Sequence, residues 1–357
     1  MPLYYPSYRF FIPRFWKRYK WERRLYDRAF HASLALHLTH KGCMDGALSD
    51  FLVRRAYGPG AVDSLFIDPT ETAEVLRKLS EVPGRARDLV VSDLSFQKGQ
   101  DAEIAESLRA LEEGGWRIQW RDHHHKQWEG ANLDALEAHA RLTVDFASAE
   151  CGASLVQKAL LPNDEQAKAL AEVVRDHDLW LRKDPRSAML ADAFYEMGGY
   201  KFQKALEENP SPENPVFLEA AKKARARKEK LLELGLRKAK LHREGGATVA
   251  ILYGYFPTNE LLHGLYDRQG ADIGILIKPT GSMSLRSRKG MECCHLVAQQ
   301  FGGGGHPNAS GGKLNVSGLG FPSYWMRRES HPEAQRLVQT ALQVASAHLR
   351  AAPEKKA

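Results

Sequence analysis

From His31 onward, short apolar runs alternate with stretches in which apolar positions recur every three or four residues. The runs HASLALHLT, VDSLFID, DLVVSDL and WRIQWRD are each followed by a helical pattern, over about 46–57, 70–79, 100–113 and beyond Leu133. This is a βαβα succession. Runs such as SLFI and LVV are apolar at most positions, which suits strands buried on both faces. The expected fold is therefore α/β, with a mainly parallel sheet and helices on both sides. Three polar segments, residues 39–45, 93–96 and 122–125, fall directly after strand candidates. In open α/β sheets the ligand crevice lies outside the carboxyl ends of the strands, so these segments point to one place.

From about Ser148 the pattern is helical through Tyr200, and NPSPENP at 209–215 interrupts it as a linker candidate. Residues 216–244, rich in Lys, Arg, Glu, Leu and Ala, read as one connector helix with a solvated basic face. A second α/β stretch follows, with strands expected over 248–253 and 272–277 and a further strand at SMSLRS. It continues through a helix near 292–300, the run GGGGHPNASGG and a last helix over 332–349. The expected organisation is a basic aromatic arm (1–30), a catalytic parallel-sheet domain (31–208) and a linker with its connector helix (209–245). A smaller α/β domain (246–350) and a disordered tail (351–357) complete it.

A length of 357 residues suits two domains of this kind. With 43% hydrophobic and 27% charged residues and no apolar run near the ~18 residues of a membrane span, a soluble protein without membrane contact is expected. The net charge of +7 leans toward a polyanionic partner, although it serves solubility equally well. Four cysteines, two of them adjacent at Cys293 and Cys294, match neither a disulfide framework nor a C-x-x-C zinc pattern, so a reducing cytoplasm is expected. The opening MPLYYPSYRFFIPRFWKRYKWERR has no uninterrupted apolar core and does not read as a signal peptide. Its aromatic and basic residues could stack on bases or pack on their own domain, and no site is assigned to it.

The densest chemistry is Asp122-His123-His124-His125, directly after a strand. With 14 His in 357 residues, chance places about 0.02 all-His triplets in the chain. Neutral imidazole is a common metal ligand, and a neighbouring carboxylate either ligates or fixes the ring from behind. Asp122 suits either role. His40 and Asp45 lie at a second strand end, where capping alone would explain the acid, and Gly46 opens the following helix. Asp93 follows a third strand. Asp176 and Asp178 in RDHDLW offer a fourth acid, against the plain alternative of a solvated pair. Taken together, these segments fit a dinuclear hydrolytic site. In the glycine run, His, Asn and Ser among the glycines argue against a mere linker, and glycines let backbone N–H groups approach a phosphate.

The combination resembles the DHH phosphoesterase superfamily. His40 to Gly46, Asp93, the name-giving Asp122-His123-His124 and an acid in RDHDLW match its motifs in order. The run from Phe301 to Gly312 is similar to the GGGH signature of the DHH-associated C-terminal domain, and Ser284-Leu285-Arg286-Ser287 to that domain's substrate-contacting strand. The resemblance implies two divalent metal ions, usually Mn2+ with Mg2+ or Co2+ as alternatives, and an active site in the cleft between the domains. His40, Asp45, Asp93, His123 and Asp178 would hold the ions, with Asp93 bridging and Asp176 as the alternative to Asp178. Cys43 stands where relatives commonly carry Asp, and ligation and packing are equally open there. Asp93, Asp122, His123 and His124 form the catalytic group. Arg286, Ser287, Gly303, Gly304, Gly305, His306 and Asn308 would hold the substrate.

The implied activity is that of a nanoRNase, cleaving short RNA oligonucleotides or linear dinucleotides such as pGpG, with pAp phosphatase activity besides. A RecJ-like single-strand exonuclease is the alternative, and a catalytically impaired nucleotide-binding regulator is the alternative of another class. Nucleotide phosphates are the expected partners, and a homodimer is compatible with the resemblance.

Overall fold

The computed structural model describes residues 34–81, 88–315 and 331–351. The aromatic arm lies outside this range, as does the tail beyond Ala351. The chain divides into two compact units, residues 1–225 and 226–357.

In the first unit the strands are β1 (Ala35–His40), β2 (Val62–Ile67), β3 (Asp88–Ser92), β4 (Arg117–Asp122) and β5 (Arg141–Val144). They form one sheet in the order β2-β1-β3-β4-β5, and every pairing is parallel. The helices are α1 (Met44–Tyr57), α2 (Thr72–Ser80), α3 (Asp101–Glu113), the short α4 (His125–Trp128) and α5 (Leu133–Glu137), α6 (Gly152–Leu160), α7 (Glu165–Asp178), α8 (Pro185–Met197) and α9 (Gly199–Glu208).

Side chains alternate across a strand, and the buried residues divide accordingly. Leu36, Leu38, Leu89 and Val91 pack with Leu76, Ile104 and Leu108 of α2 and α3. Val90 faces the other way, into a cluster with Leu48 and Phe51 of α1, Val156, Val174, Leu190 and Phe202. The sheet is thus covered on both sides, which is why its strands read as nearly continuous apolar runs. A buried polar network accompanies the second cluster. His37 Nδ1 lies 2.9 Å from Asp50 Oδ1 on α1, and its Nε2 lies 2.7 Å from Ser92 Oγ on β3.

Helix α10 (Pro215–Lys238) begins in the first unit, where Phe217 is fully buried, and ends in the second. The segment 209–215, expected as a linker, makes the turn between α9 and α10. Asn214 is buried there, and its side-chain amide donates to Ala205 O and Asn209 O, 2.9 Å each. The expected single helix over 216–244 stops at Lys238, and β6 (Lys240–Glu244) pairs antiparallel with β7 (Ala247–Tyr253). Gly245 and Gly246, at φ +56° and +82°, form the two-residue turn between them. Positive φ at both positions is what a hairpin turn of matching twist requires.

The second unit continues with α11 (Thr258–Gln269), β8 (Ile273–Ile277), β9 (Ser282–Ser287), α12 (Cys294–Gln299), β10 (Gly304–His306), β11 (Ala309–Lys313) and α13 (Pro332–Ala351). Its sheet runs β10-β11-β9-β8-β7-β6 and is antiparallel except for β7 with β8. Val249 and Ile251 face a cluster with α12 and α13, while Ala250 and Leu252 face Leu236 and α11. Among the described residues no helix is long and apolar enough to cross a membrane.

Candidate metal centre

The order of the first sheet reverses at β1, whose neighbours on either side are β2 and β3. Such a switch point opens a crevice at the carboxyl ends of the strands, and His40 and Asp93 stand at the ends of the two strands concerned. Gly46 lets α1 start this close to the end of β1. A Cβ at that position would collide with the His40 carbonyl oxygen.

Asp93 is 2% exposed and left-handed at φ +50°, a conformation that Asp tolerates better than most residues. Its backbone N–H donates to Arg121 O at 3.1 Å, tying it to β4. Its two carboxylate oxygens face different neighbours. Oδ2 accepts the Cys43 thiol at 3.0 Å and lies 3.9 Å from His40 Nδ1, whereas Oδ1 lies 3.2 Å from His123 Nε2. His123 Nε2 is also 3.4 Å from Asp178 Oδ2 and 3.6 Å from Asp45 Oδ2. Besides the cluster Asp93–Asp122–His123–His124, two donor groups result, His40–Cys43–Asp93 and Asp45–His123–Asp178, with Asp93 between them.

Asp45 is held from behind. Its oxygens accept the Gly152 and Ala153 amides at 2.6 and 2.7 Å, the first donors of α6, which a carboxylate satisfies well. Gly152 is required for this approach, because a Cβ there would run into Asp93. Asp122 is fully buried with both oxygens taken, Oδ1 by His124 Nδ1 at 2.8 Å and Oδ2 by Trp128 Nε1–H at 2.6 Å. Its place is therefore behind His124, as an orienting carboxylate.

Charge in the cluster is frustrated. Burial, with the charges of Asp93 and Asp178 added, raises the Asp45 carboxyl well above its ordinary value. Burial also raises Asp178, joined by the charge of Asp93 and opposed by His123. For Asp93 burial pulls upward, but the His123 hydrogen bond and the charges of His124 and His123 hold the carboxyl low. Burial alone would depress His123. The Asp93 hydrogen bond and the charges of Asp45, Asp93 and Asp178 outweigh it and push the imidazole up to about 9. The Cys43 thiol is raised by burial, by Asp93 and by Asp45, so without metal it is a protonated donor. Three carboxyl groups and a thiol are gathered about the His123 and His124 imidazoles, and this donor set fits divalent cations.

Of the two acids in RDHDLW, only Asp178 joins a donor group. Asp176, two residues earlier, turns away and accepts Lys183 N–H at 2.8 Å. His125 lies 3.3 Å from Ser148 Oγ and belongs to neither group. Sequence reasoning missed Gly152 and Trp128. A glycine opening a helix behind Cys151 was the only available signal for the first, and nothing in the pattern marked the second.

The other expected residues lie in the second unit. Arg286 on β9 donates to Leu285 O and to Asn259 Oδ1, 2.9 Å each. Ser287 Oγ donates to Asn308 Oδ1 at 3.2 Å. The glycine run forms a hairpin, in which His306 pairs with Ala309 and Pro307 and Asn308 make the turn. Gly303 and Gly305 lie where a Cβ would strike the carbonyl oxygens of Gly311 and Ala309. His306, Gly304 and Gly305 are exposed.

No family model matches the chain, and no curated protein sequence does. Solved structures do match it over most of its length. The exonuclease RecJ bound to manganese aligns at 16% identity, covering 90% of this chain and 97% of its own, with a TM-score of 0.48. The pGpG-specific phosphodiesterase PggH from Vibrio cholerae aligns at 15%, covering 87% and 99%, with a TM-score of 0.46. An exopolyphosphatase-related protein from Bacteroides fragilis aligns at 12%, covering 93% and 97%, with a TM-score of 0.39. Each of these three structures aligns with the chain over most of both lengths.

Proposed function

We propose that the protein is a metal-dependent phosphodiesterase of the DHH kind that hydrolyses short oligoribonucleotides and linear dinucleotides to mononucleotides. The observation that carries this reading is Asp93, whose two oxygens turn to two different donor groups. His40 and Cys43 would hold one cation, and Asp45, His123 and Asp178 the other, with Asp93 shared. Two divalent cations supply Lewis acidity toward phosphoryl oxygens and lower the pKa of water. The chain's own part is to fix the donors, through α6 at Asp45 and through the Asp122–Trp128 pair behind His124, which would meet the phosphate. Arg286, Ser287, Gly304, His306 and Asn308 in the second unit are assigned to hold the substrate, with Gly303 and Gly305 keeping their hairpin close-packed. The net charge of +7 suits an oligonucleotide of a few phosphates.

The test is product analysis with a 5′-labelled RNA dinucleotide, a five-residue RNA and a ~25-residue RNA, each with manganese and with chelator. Metal-dependent mononucleotide release from the two short substrates, with the long one spared, is expected. Rapid degradation of the long strand would instead establish an exonuclease. No cleavage of any substrate would overturn the reading in favour of a binding protein.

A further inference from the structure

Helix α7 ends two residues before Trp180, and its C-terminus closes with a specific hydrogen-bond pattern. Trp180 N–H donates to His177 O at 3.1 Å and Leu181 N–H to Asp176 O at 2.9 Å. These are the two bonds of a Schellman motif, in which the left-handed position normally belongs to glycine. Here tryptophan occupies it, at φ +58°, and Arg182 is left-handed as well at φ +56°. A bulky residue in this region carries strain, and such strain clusters at ligand sites.

The strained ring is not buried in compensation. Trp180 remains 60% exposed even with the Arg182 guanidinium 4.0 Å from its ring centre. It borders a cavity of about 180 Å³ that Cys43, Asp45, His177, Asp178 and Tyr195 also line. That volume is the share of about six liquid waters, which suits one flat ring system and not a folded partner. Tyr195 forms another wall and is 49% exposed.

We propose that Trp180, locked in the cap of α7 two residues after Asp178, is the platform on which a nucleobase stacks while its phosphate lies at the Asp45, Asp93 and Asp178 donors. The inference rests on reading those donors as a phosphoesterase centre, and it narrows the substrate to one that carries a base. A polyphosphate chain has no use for an exposed indole. A base does, since every base offers a π-face and stacking on an aromatic side chain is largely indifferent to sequence. Arg182 on the same ring adds a cation for the phosphates.

The experiment compares the full-length wild type with Trp180→Ala and Trp180→Phe on an RNA dinucleotide and on its abasic analogue, with manganese. Trp180→Ala is expected to raise KM for the dinucleotide by about 5- to 150-fold, the range of one lost stack, with kcat within about threefold. Trp180→Phe should recover most of the loss, and the preference for the dinucleotide over its abasic analogue should collapse in Trp180→Ala alone. Unchanged KM, or equal losses on both substrates, would overturn the proposal. A second readout is free of turnover: AMP titrated into the wild type should quench tryptophan fluorescence, and Trp180→Phe should abolish that quench. Should the wild type cleave nothing while AMP still quenches Trp180, the phosphoesterase reading fails and the platform stands. Cleavage without a Trp180-dependent quench would sink the platform alone.

Discussion

At the scale of single residues, Asp93 gathers the most roles, and its backbone decides how it should be tested. Because it is left-handed, Asp93→Ala would remove the carboxylate and add backbone strain, whereas Asn tolerates that region nearly as well as Asp. Asp93→Asn is therefore expected to melt near the wild-type temperature while turnover falls by a factor on the order of a thousand, consistent with a lost bridging ligand. Calorimetry beside a manganese-dependent RNA dinucleotide assay checks both halves, and near-normal turnover would dismiss the bridge. Trp128 tests support at one remove. Trp128→Phe keeps the buried ring and deletes the N–H that holds Asp122, so kcat should fall by about 10- to 100-fold, in line with losses behind a metal site.

At the scale of elements, the site depends on where helices start. Gly152→Ala places a methyl against Asp93 at the head of α6, where backbone and carboxylate have little room to yield. A loss of about 1–3 kcal/mol is expected from this overpacking, visible as a lower urea midpoint, together with reduced activity. Asp50 on α1 reports on the buried network with His37. Burial would raise its carboxyl, but the His37 hydrogen bond and charge bring it below its ordinary value. A depressed carboxylate contributes stability above its unfolded pKa of about 3.9, and that stability is lost as pH falls through the folded value. Asp50→Asn should accordingly flatten the acid limb of the stability curve, and an unchanged acid limb would deny the linkage.

The same scale shows how much of the molecule was legible in its sequence. The βαβα order and the three strand-end segments were readable because buried parallel strands are apolar on both faces and polar residues after them stand out. Asp178 was readable only as one of a pair, because choosing it over Asp176 depends on which way the last turn of α7 faces. β6 departs from the expected helix because LHRE carries no strong strand signal and the hairpin is fixed by the Gly245–Gly246 turn that follows it. The carboxylate of Asp45 could be suspected, but its bonds to the Gly152 and Ala153 amides join residues more than a hundred positions apart. No local pattern records such a contact.

For the whole molecule, metal and stability are linked. A cation bound only by the folded state at a hundred times its Kd adds about 2.7 kcal/mol, so a chelator should lower the melting temperature of the manganese-loaded protein by several degrees. The pH dependence has a definite sign. In metal-free protein His123 keeps its proton up to about 9, and its stabilisation, complete below an unfolded value near 6.5, fades as pH rises through 9. Cation binding must displace that proton. The manganese-induced gain in melting temperature should therefore grow from pH 7 to pH 9, and a gain that shrinks over this interval would contradict the assignment of His123 as a ligand. Arg286→Ala, in the second unit, is expected to raise KM for a dinucleotide with little change in kcat.

The first unit completes its core late. All six donors lie between His40 and Asp178, yet the cluster behind α1 includes Phe202, Phe217 and Ala221, which come after them in the chain. During synthesis, which runs from the N-terminus, every candidate donor side chain is made before the last residues of the core that holds it in place. A nascent chain stalled near residue 200 would carry the full complement of donors without the packing that spaces them. Any selectivity among ions that these donors confer would therefore be acquired only when the unit is finished.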